Sequence, residues 1–361
     1  MFTAGHLKIF QREDIDRRIV QRQGEEKIGS DLRLLKNSDP ENLSKALNES
    51  AASGVKYAVL GIPEDVGVRA NLGRKGARSA WNAFLTEFLN LQSNRFLDSK
   101  KILLIGETAV EDLQKAADEA EGDADSVSLF RRFTAELDTR VSPIVESVVD
   151  AGLEPVIIGG SHNNAYPILK GVEASLRKSG IISDRGIGCV NCDAHLDFRP
   201  LEGRHSGNSF SYAHHEDILK AYAVIGLQEQ YNNADMLAQA EKAGFHFWTY
   251  EDFAIRGKQT FESTLTQALE YLHKTDLPIG MEVDLDSMAN VPASAEIPFG
   301  LSAEQVFRFI HTFAAGLPTP YLHITEGAPT LGRDGERKVG RLTAMAVITY
   351  LKAREKRAYS P

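Results

Sequence analysis

From residue 56 onward, short apolar runs rich in valine and isoleucine alternate with longer amphipathic stretches. No other feature constrains the fold as much. Eight runs stand out: KYAVLGI, KKILLIGE, EPVIIGG, RGIGCVNCDAH, AYAVIGL, FHFWTYED, PIGMEVDLD and PYLHITEG. The helical stretches between and after them include SAWNAFLTEFLNLQS, LFRRFTAELDTRVSPIVESVVDAG, AYPILKGVEASLRKSG, FESTLTQALEYLHK, SAEQVFRFIHTFAAG and RLTAMAVITYLKAREKR. Strands alternating with helices imply a parallel sheet covered on both faces. The expected fold is therefore a three-layer α/β/α sandwich around an eight-stranded parallel sheet. Ser302 and Gln305 have the spacing of a capping box and mark a helix start. Residues 1–55 are polar and patchy, and read as an N-terminal extension packing on a main domain of residues 56–361.

Composition narrows the function. A net charge of −9 argues against non-specific nucleic-acid binding. No apolar run reaches the roughly 18 residues that a membrane span needs. The start, MFTAGHLKIFQRED, has no hydrophobic signal region, so the expected location is cytoplasmic. The two cysteines, Cys189 and Cys192, form C-x-x-C, but residues three apart on a strand face opposite sides of the sheet. With no second cysteine pair to complete a zinc cluster, they read as small buried strand residues. Neither a G-x-G-x-x-G stretch nor the G-K-[ST] ending of a phosphate loop is present, so a nucleotide site has little support.

The polar residues collect where strands end. VIIGGSHNN runs into His162, GCVNCDAHLD into Asp193, His195 and Asp197, GMEVDLDSM into Asp284 and Asp286, and HITEGAP into Glu326. Carboxyl ends of parallel strands are where such sheets place their sites. Residues i, i+2 and i+4 of a strand share a face, so D-x-H-x-D and D-x-D can each converge on one point. Carboxylates held that close repel unless one takes up a proton or a cation lies between them. Oxygen and imidazole donors without thiolate suit Mn²⁺. Six ligands are too many for one catalytic ion with an open position, and suit two ions sharing carboxylates about 3.5 Å apart.

GGSHNN, DAHLD and EVDLDSM, with GIPED, NLGRKGA and ITEGAP, resemble the ordered motifs of the ureohydrolase superfamily of arginases, agmatinases and formimidoylglutamases. The resemblance runs from about residue 55 to the C-terminus. It implies two Mn²⁺ ions per subunit, with His162 and Asp197 as terminal ligands of the first, His195 and Asp286 of the second, and Asp193 and Asp284 bridging. It also implies an eight-stranded parallel sheet and a trimeric or hexameric assembly. The implied chemistry is hydrolysis of a C–N bond in a small amidine or guanidine. A water made acidic by both ions attacks the central carbon, while Glu326 grips the substrate's cationic nitrogens.

The loop FRPLEGRHSGNSFSYAHH points to one branch. Arg199 followed by Ser206 to Phe210 resembles formimidoylglutamases, and Phe210 stands where arginases carry a proton-shuttling histidine. Gly226-Leu227-Gln228-Glu229-Gln230 departs from the arginase pattern. A glutamate-derived substrate has two carboxylates, for which Arg199, Arg204, Ser206 and Asn208 are the candidate partners. Arg204 also reads as the partner of a surface acid. His205, His214 and His215 are candidate proton carriers or ordinary loop histidines. Ser161 replaces the aspartate usual in the family's first motif, which removes a carboxylate beside His162 and leaves occupancy of the first metal site open. The expected reaction is N-formimidoyl-L-glutamate plus water to L-glutamate and formamide. The alternatives are a guanidino hydrolase (guanidinobutyrase, agmatinase, guanidine hydrolase or arginase), a single-zinc amidohydrolase, or a non-catalytic metal-binding homologue.

Overall fold

All eight apolar runs form strands, and the polar N-terminal segment adds two short ones. The computed structural model describes residues 6–36, 42–183 and 186–357, so residues 1–5 and 37–41 of the expected extension lie outside it. In chain order the strands are β1 (Leu7–Ile9), β2 (Arg33–Leu34), β3 (Tyr57–Gly61), β4 (Ile102–Thr108), β5 (Glu154–Ile158), β6 (Ile187–Cys192), β7 (Leu219–Leu227), β8 (His246–Thr249), β9 (Ile279–Asp284) and β10 (Leu322–Thr325). They make one sheet in the order β1-β4-β3-β5-β10-β9-β6-β7-β8, with β2 also on β4. Strands β3 to β10 are mutually parallel. Among the described residues the sheet thus has ten strands, two more than the sequence pattern predicts.

The two additional strands cover an edge. β2 runs parallel to the first half of β4, and β1 runs antiparallel to its second half. Together they occupy backbone groups that would otherwise present an open edge. Gly106 makes this approach possible. Its φ is 142°, and a Cβ there would lie 2.0 Å from the Lys8 carbonyl oxygen.

Helices pack on both faces. Ala80–Phe88, Phe261–His273, Ala303–Gly316 and Gly335–Arg357 share one apolar core with one face of the sheet. Ser126–Asp150, Ala165–Lys178, Ser209–His215 and Ala234–Lys242 share a second core with the other. The cysteines divide between these cores: both are free and buried, Cys189 in the second and Cys192 in the first. The capping box is present, with Gln305 N–H donating to Ser302 Oγ at 3.2 Å and Ser302 N–H donating to Gln305 Oε1 at 2.9 Å. Among the described residues, no helix is long and apolar enough to cross a membrane.

The strand order matters for function. β5, β10, β9 and β6 are neighbours in the sheet although far apart in sequence. Their carboxyl ends carry His162, Glu326, Asp284 with Asp286, and Asp193 with His195 and Asp197. Topology alone therefore brings the four polar clusters side by side.

Candidate metal centre and substrate cavity

Each cluster reaches the centre through a turn just past its strand. β5 exits through Gly159 and Gly160, with φ of 89° and 76°. A Cβ on Gly160 would lie 2.4 Å from Asn164 Nδ2 and 2.8 Å from Glu64 Oε1, so this turn excludes side chains. Glu326 locks the turn from β10: its N–H donates to Gly160 O at 3.1 Å, and its Oε1 accepts from His162 N–H at 2.7 Å. β6 ends at Cys192, so Asp193, His195 and Asp197 follow the strand instead of lying on it. Strand alternation is therefore not what gathers them. Asp193 Oδ1 accepts from His195 N–H at 2.7 Å, and Asp197 takes a left-handed φ of 47°. Asp284 Oδ1 likewise accepts from Asp286 N–H at 2.8 Å, folding the D-x-D segment into a tight turn. Non-glycine residues at positive φ, Asp197 and Glu326 (φ 61°) among them, mark local strain held in place by the surrounding site.

The result is two overlapping donor sets. His162, Asp193, Asp197 and Asp284 form the first, and Asp193, His195 and Asp286 the second; within each, one ligand atom per residue lies within 4.8 Å of the others. Asp193 belongs to both sets, whereas Asp284 belongs to the first only. His162 Nδ1 lies 3.2 Å from Asp193, 2.9 Å from Asp197 and 3.0 Å from Asp284. His195 Nδ1 lies 3.1 Å from Asp286. Despite this crowding, both ring nitrogens of His162 and Oδ1 of Asp286 are buried without a hydrogen-bond partner among the described residues. Nitrogen and oxygen donors that converge this closely without hydrogen-bond partners suit a shared cation.

The electrostatics agree. Burial, then Asp286 and Asp193, pushes Asp284 well above the usual carboxylate range. Burial and then Asp286 push Glu326 up to about 8, against the pull of the His162 N–H. Burial lowers the proton affinity of His162 and His195, but the surrounding carboxylates raise both well above an ordinary histidine. Asp193, by contrast, is held below its usual range: burial pushes it up, and the two imidazoles more than offset that. Protein groups alone leave this site short of positive charge, and the oxygen–imidazole donor sets fit divalent ions such as Mn²⁺.

Behind His162 lies Glu282, fully buried. Its Oε2 is 3.5 Å from His162 Nε2 and 2.6 Å from His323 Nδ1, and its Oε1 accepts from Tyr321 O–H at 2.7 Å. A carboxylate behind a ligating imidazole orients the ring and raises its basicity. The E-x-D-x-D spacing of EVDLD carries this signal, although only the two aspartates stand out in sequence. Glu282→Gln should weaken manganese binding about 10–100-fold, read by metal titration, while the melting temperature of the loaded protein stays close to wild type.

A cavity of about 290 Å³ opens above the clusters. His195, Asp197, Asp284, Asp286 and Glu326 line it, as do Asn71, Arg199, Ser206 and Tyr231. Arg199 and Ser206 thus reach the cavity. Arg204 and Asn208 do not. Arg204 is buried, with Nε donating to Asp138 at 2.8 Å, Nη1 to Asn208 Oδ1 at 2.7 Å and Nη2 to Asn163 O at 2.8 Å. Its guanidinium also sits 4.7 Å from the Tyr166 ring and 4.8 Å from that of Tyr212. Asn208 is fully committed too, its amide donating to Pro200 O and Gly203 O. The acid expected to pair with Arg204 is therefore a buried one. Arg204→Ala would strand Asp138, which burial already pushes up to about 6 against the pull of Arg204. It should lower unfolding free energy by about 3–5 kcal/mol in denaturant titration, without selectively raising KM.

None of the candidate proton carriers lines the cavity. His205 is buried, its Nδ1 accepting from Gly207 N–H at 3.1 Å and its Nε2 3.2 Å from Glu202. His214 and His215 are exposed on their helix. Phe210 is fully buried, edge-on to His162 at 5.4 Å and stacked on Tyr222 at 4.3 Å. Ser161 is not without a neighbouring carboxylate. Its N–H donates to Glu64 Oε1 at 2.7 Å, and its Oγ lies 3.4 Å from Glu64 Oε2.

Comparison with known proteins agrees with this geometry. The arginase family model matches residues 55–352. A formimidoylglutamase of Macrococcus caseolyticus is 28% identical over 291 residues, covering 80% of this chain and 83% of that relative. The crystal structure of formimidoylglutamase from Bacillus subtilis superposes with a TM-score of 0.69 at 18% identity, covering 93% of this chain and 94% of that one. That of Trypanosoma cruzi formiminoglutamase with Mn²⁺ superposes with a TM-score of 0.65 at 19% identity, covering 91% and 99%. With its motifs, its sheet order and a family match over most of its length, this chain belongs to the arginase family.

Proposed function

We propose that this protein is a formimidoylglutamase, hydrolysing N-formimidoyl-L-glutamate to L-glutamate and formamide with two Mn²⁺ ions per subunit. The observation that carries this reading is the pairing of two donor sets, joined at Asp193, with a cavity whose wall holds a guanidinium. His162, Asp193, Asp197 and Asp284 would hold one ion, and Asp193, His195 and Asp286 the other. When bound, the ions supply Lewis-acid chemistry and make a water acidic enough to attack near neutral pH. Glu326, buried at the cavity floor, would hold the cationic amidine over that water. Arg199 would draw the anionic tail of the substrate to the opposite side, so that both ends fix the reacting carbon. The relatives named formimidoylglutamase support this substrate over guanidino compounds. The same reading carries a cytoplasmic location and, on family resemblance alone, a trimer or hexamer.

The test is a product assay with manganese over N-formimidoyl-glutamate, guanidinobutyrate, agmatine, guanidine and arginine. Formamide from the first substrate is expected. Urea from any of the others, with no formamide, would replace this reading with a guanidino hydrolase.

A further inference from the structure

Three side chains from two separate segments form one hydrogen-bonded chain along the cavity wall. Arg199 Nη1 donates to Asn71 Oδ1 at 3.2 Å, and Asn71 Nδ2 donates to Ser206 Oγ at 3.3 Å. The direction of this chain is forced. A guanidinium has no acceptor, so the amide oxygen must face Arg199 and the amide nitrogen must face Ser206. Ser206 Oγ then accepts, which frees its own hydrogen to donate elsewhere. Each group keeps hydrogens to donate: the remaining guanidinium N–H groups, the second Nδ2 hydrogen and the Ser206 O–H. This stretch of wall therefore offers several donors, one of them cationic, while the floor is lined by acids. Arg199 also has no carboxylate partner among the described residues, in contrast to Arg204 on Asp138 and Arg140 on Asp112.

The chain is held in place from behind. Arg199 N–H donates to Gly207 O at 2.9 Å, and Ser211 Oγ donates to Arg199 O at 2.6 Å. Asn71 caps the helix Val66–Ala70, and the next residue, Leu72, adopts φ 64° and is 80% exposed. A leucine in the left-handed region is strained by about 1–2 kcal/mol, and this one gains no burial in return. Arg74 fixes the turn, donating from N–H and Nε to Ser294 and from Nη2 to Ala293. Strain kept by external bonds at a cavity rim is the pattern of a positioned binding group.

We propose that Asn71 is a specificity-determining residue: with Arg199 and Ser206 it forms a donor-rich receptor for a carboxylate on the substrate's tail. The cavity thereby selects amidines with an anionic end over those with an ammonium end. This rests on the functional reading above and replaces Arg204 and Asn208, which face elsewhere, with a residue from a different segment.

The test is calorimetric titration of the manganese-loaded full chain with glutarate and, separately, with 1,5-diaminopentane. Wild type is expected to bind glutarate more tightly than the diamine. Asn71→Asp, which both neutralises Arg199 and repels an anion, should weaken glutarate at least tenfold and narrow or reverse that preference. Asn71→Ala should weaken it severalfold. Manganese content and melting temperature report folding; if the aspartate variant does not fold, Asn71→Ala and Asn71→Ser carry the same readout. Glutarate affinity within twofold of wild type in the folded variants, or a wild type that prefers the diamine, overturns the proposal. Turnover separates the two readings. Glutarate binding that depends on Asn71, without hydrolysis of N-formimidoyl-glutamate, would refute the enzyme assignment and keep the receptor. Hydrolysis with an unchanged KM in Asn71→Asp would refute the receptor and keep the enzyme.

Discussion

Asp193→Ala should lower turnover on the order of a thousandfold or more and, on the proposed two-ion reading, reduce bound manganese from two ions per chain toward none. The expectation follows from Asp193 being the residue common to both donor sets. Its carboxylate is also built into the turn, accepting from His195 N–H at 2.7 Å and from Asn191 Nδ2 at 2.9 Å. Alanine therefore removes a donor from each set and releases His195 at the same time. Loss of a single preorganised electrostatic group commonly lowers turnover about 10²–10³-fold, and this substitution removes more than one. The pattern across variants is more telling than the size. Asp197 lies only in the first set and Asp286 only in the second, so Asp197→Ala and Asp286→Ala should each lose one ion and keep the other. Metal analysis of the three purified variants reads this directly. If Asp193→Ala kept two ions and near-wild-type turnover, the overlapping-set reading would be wrong.

Much of this site is legible in the sequence, but not always for the reason the sequence suggests. Seven of the eight parallel strands are readable as largely buried apolar runs, whereas β8, at the sheet edge, is intermediate or exposed throughout and is readable from its aromatic and β-branched residues. β1 and β2 are not, because they are only three and two residues long. Such strands exist because an edge needs covering, which is a property of β4 and not of their own sequence. Spacing predicts that Asp193, His195 and Asp197 meet at one point, yet Asp197 and His195 fall in different donor sets that share Asp193, and a turn after β6, which alternation along a strand does not describe, sets their positions. Arg204 is the instructive failure. An arginine in a substrate-like loop invites a binding role, but its partner Asp138 lies 66 residues away, and nothing in the local sequence announces it. Glu64 is hidden in the same way, 97 residues from the Ser161 it supports. Local pattern identifies which residues carry chemistry, whereas long-range pairing decides which of them are free to use it.

Removing divalent metal should destabilise the protein increasingly as pH rises, and one substitution should relieve part of that loss. Without a cation, Glu326 is pushed up to about 8, and Asp284 lies well above the carboxylate range; burial is the first cause for both. Unfolded, both would titrate near 4. Between these values the folded chain binds protons that the unfolded chain does not, so stability falls as pH rises through the folded pKa. For Glu326 alone the effect is on the order of a few kcal/mol between pH 5 and 9. Manganese replaces those protons with fixed positive charge, and at a hundredfold excess over its dissociation constant contributes about 2.7 kcal/mol per site. Melting curves of chelated protein should thus move down steadily from pH 6 to 9, while manganese-loaded protein changes far less. Asp284→Asn removes one of the crowded charges. At pH 8.5 it should melt above chelated wild type but below loaded wild type, because it relieves the repulsion and loses the ion in one step. A chelated wild type whose melting temperature is flat across this range, or an Asp284→Asn variant no more stable than it, would mean that the acids at the sheet's carboxyl edge are not frustrated, and the case for a resident ion pair would lose its physical basis.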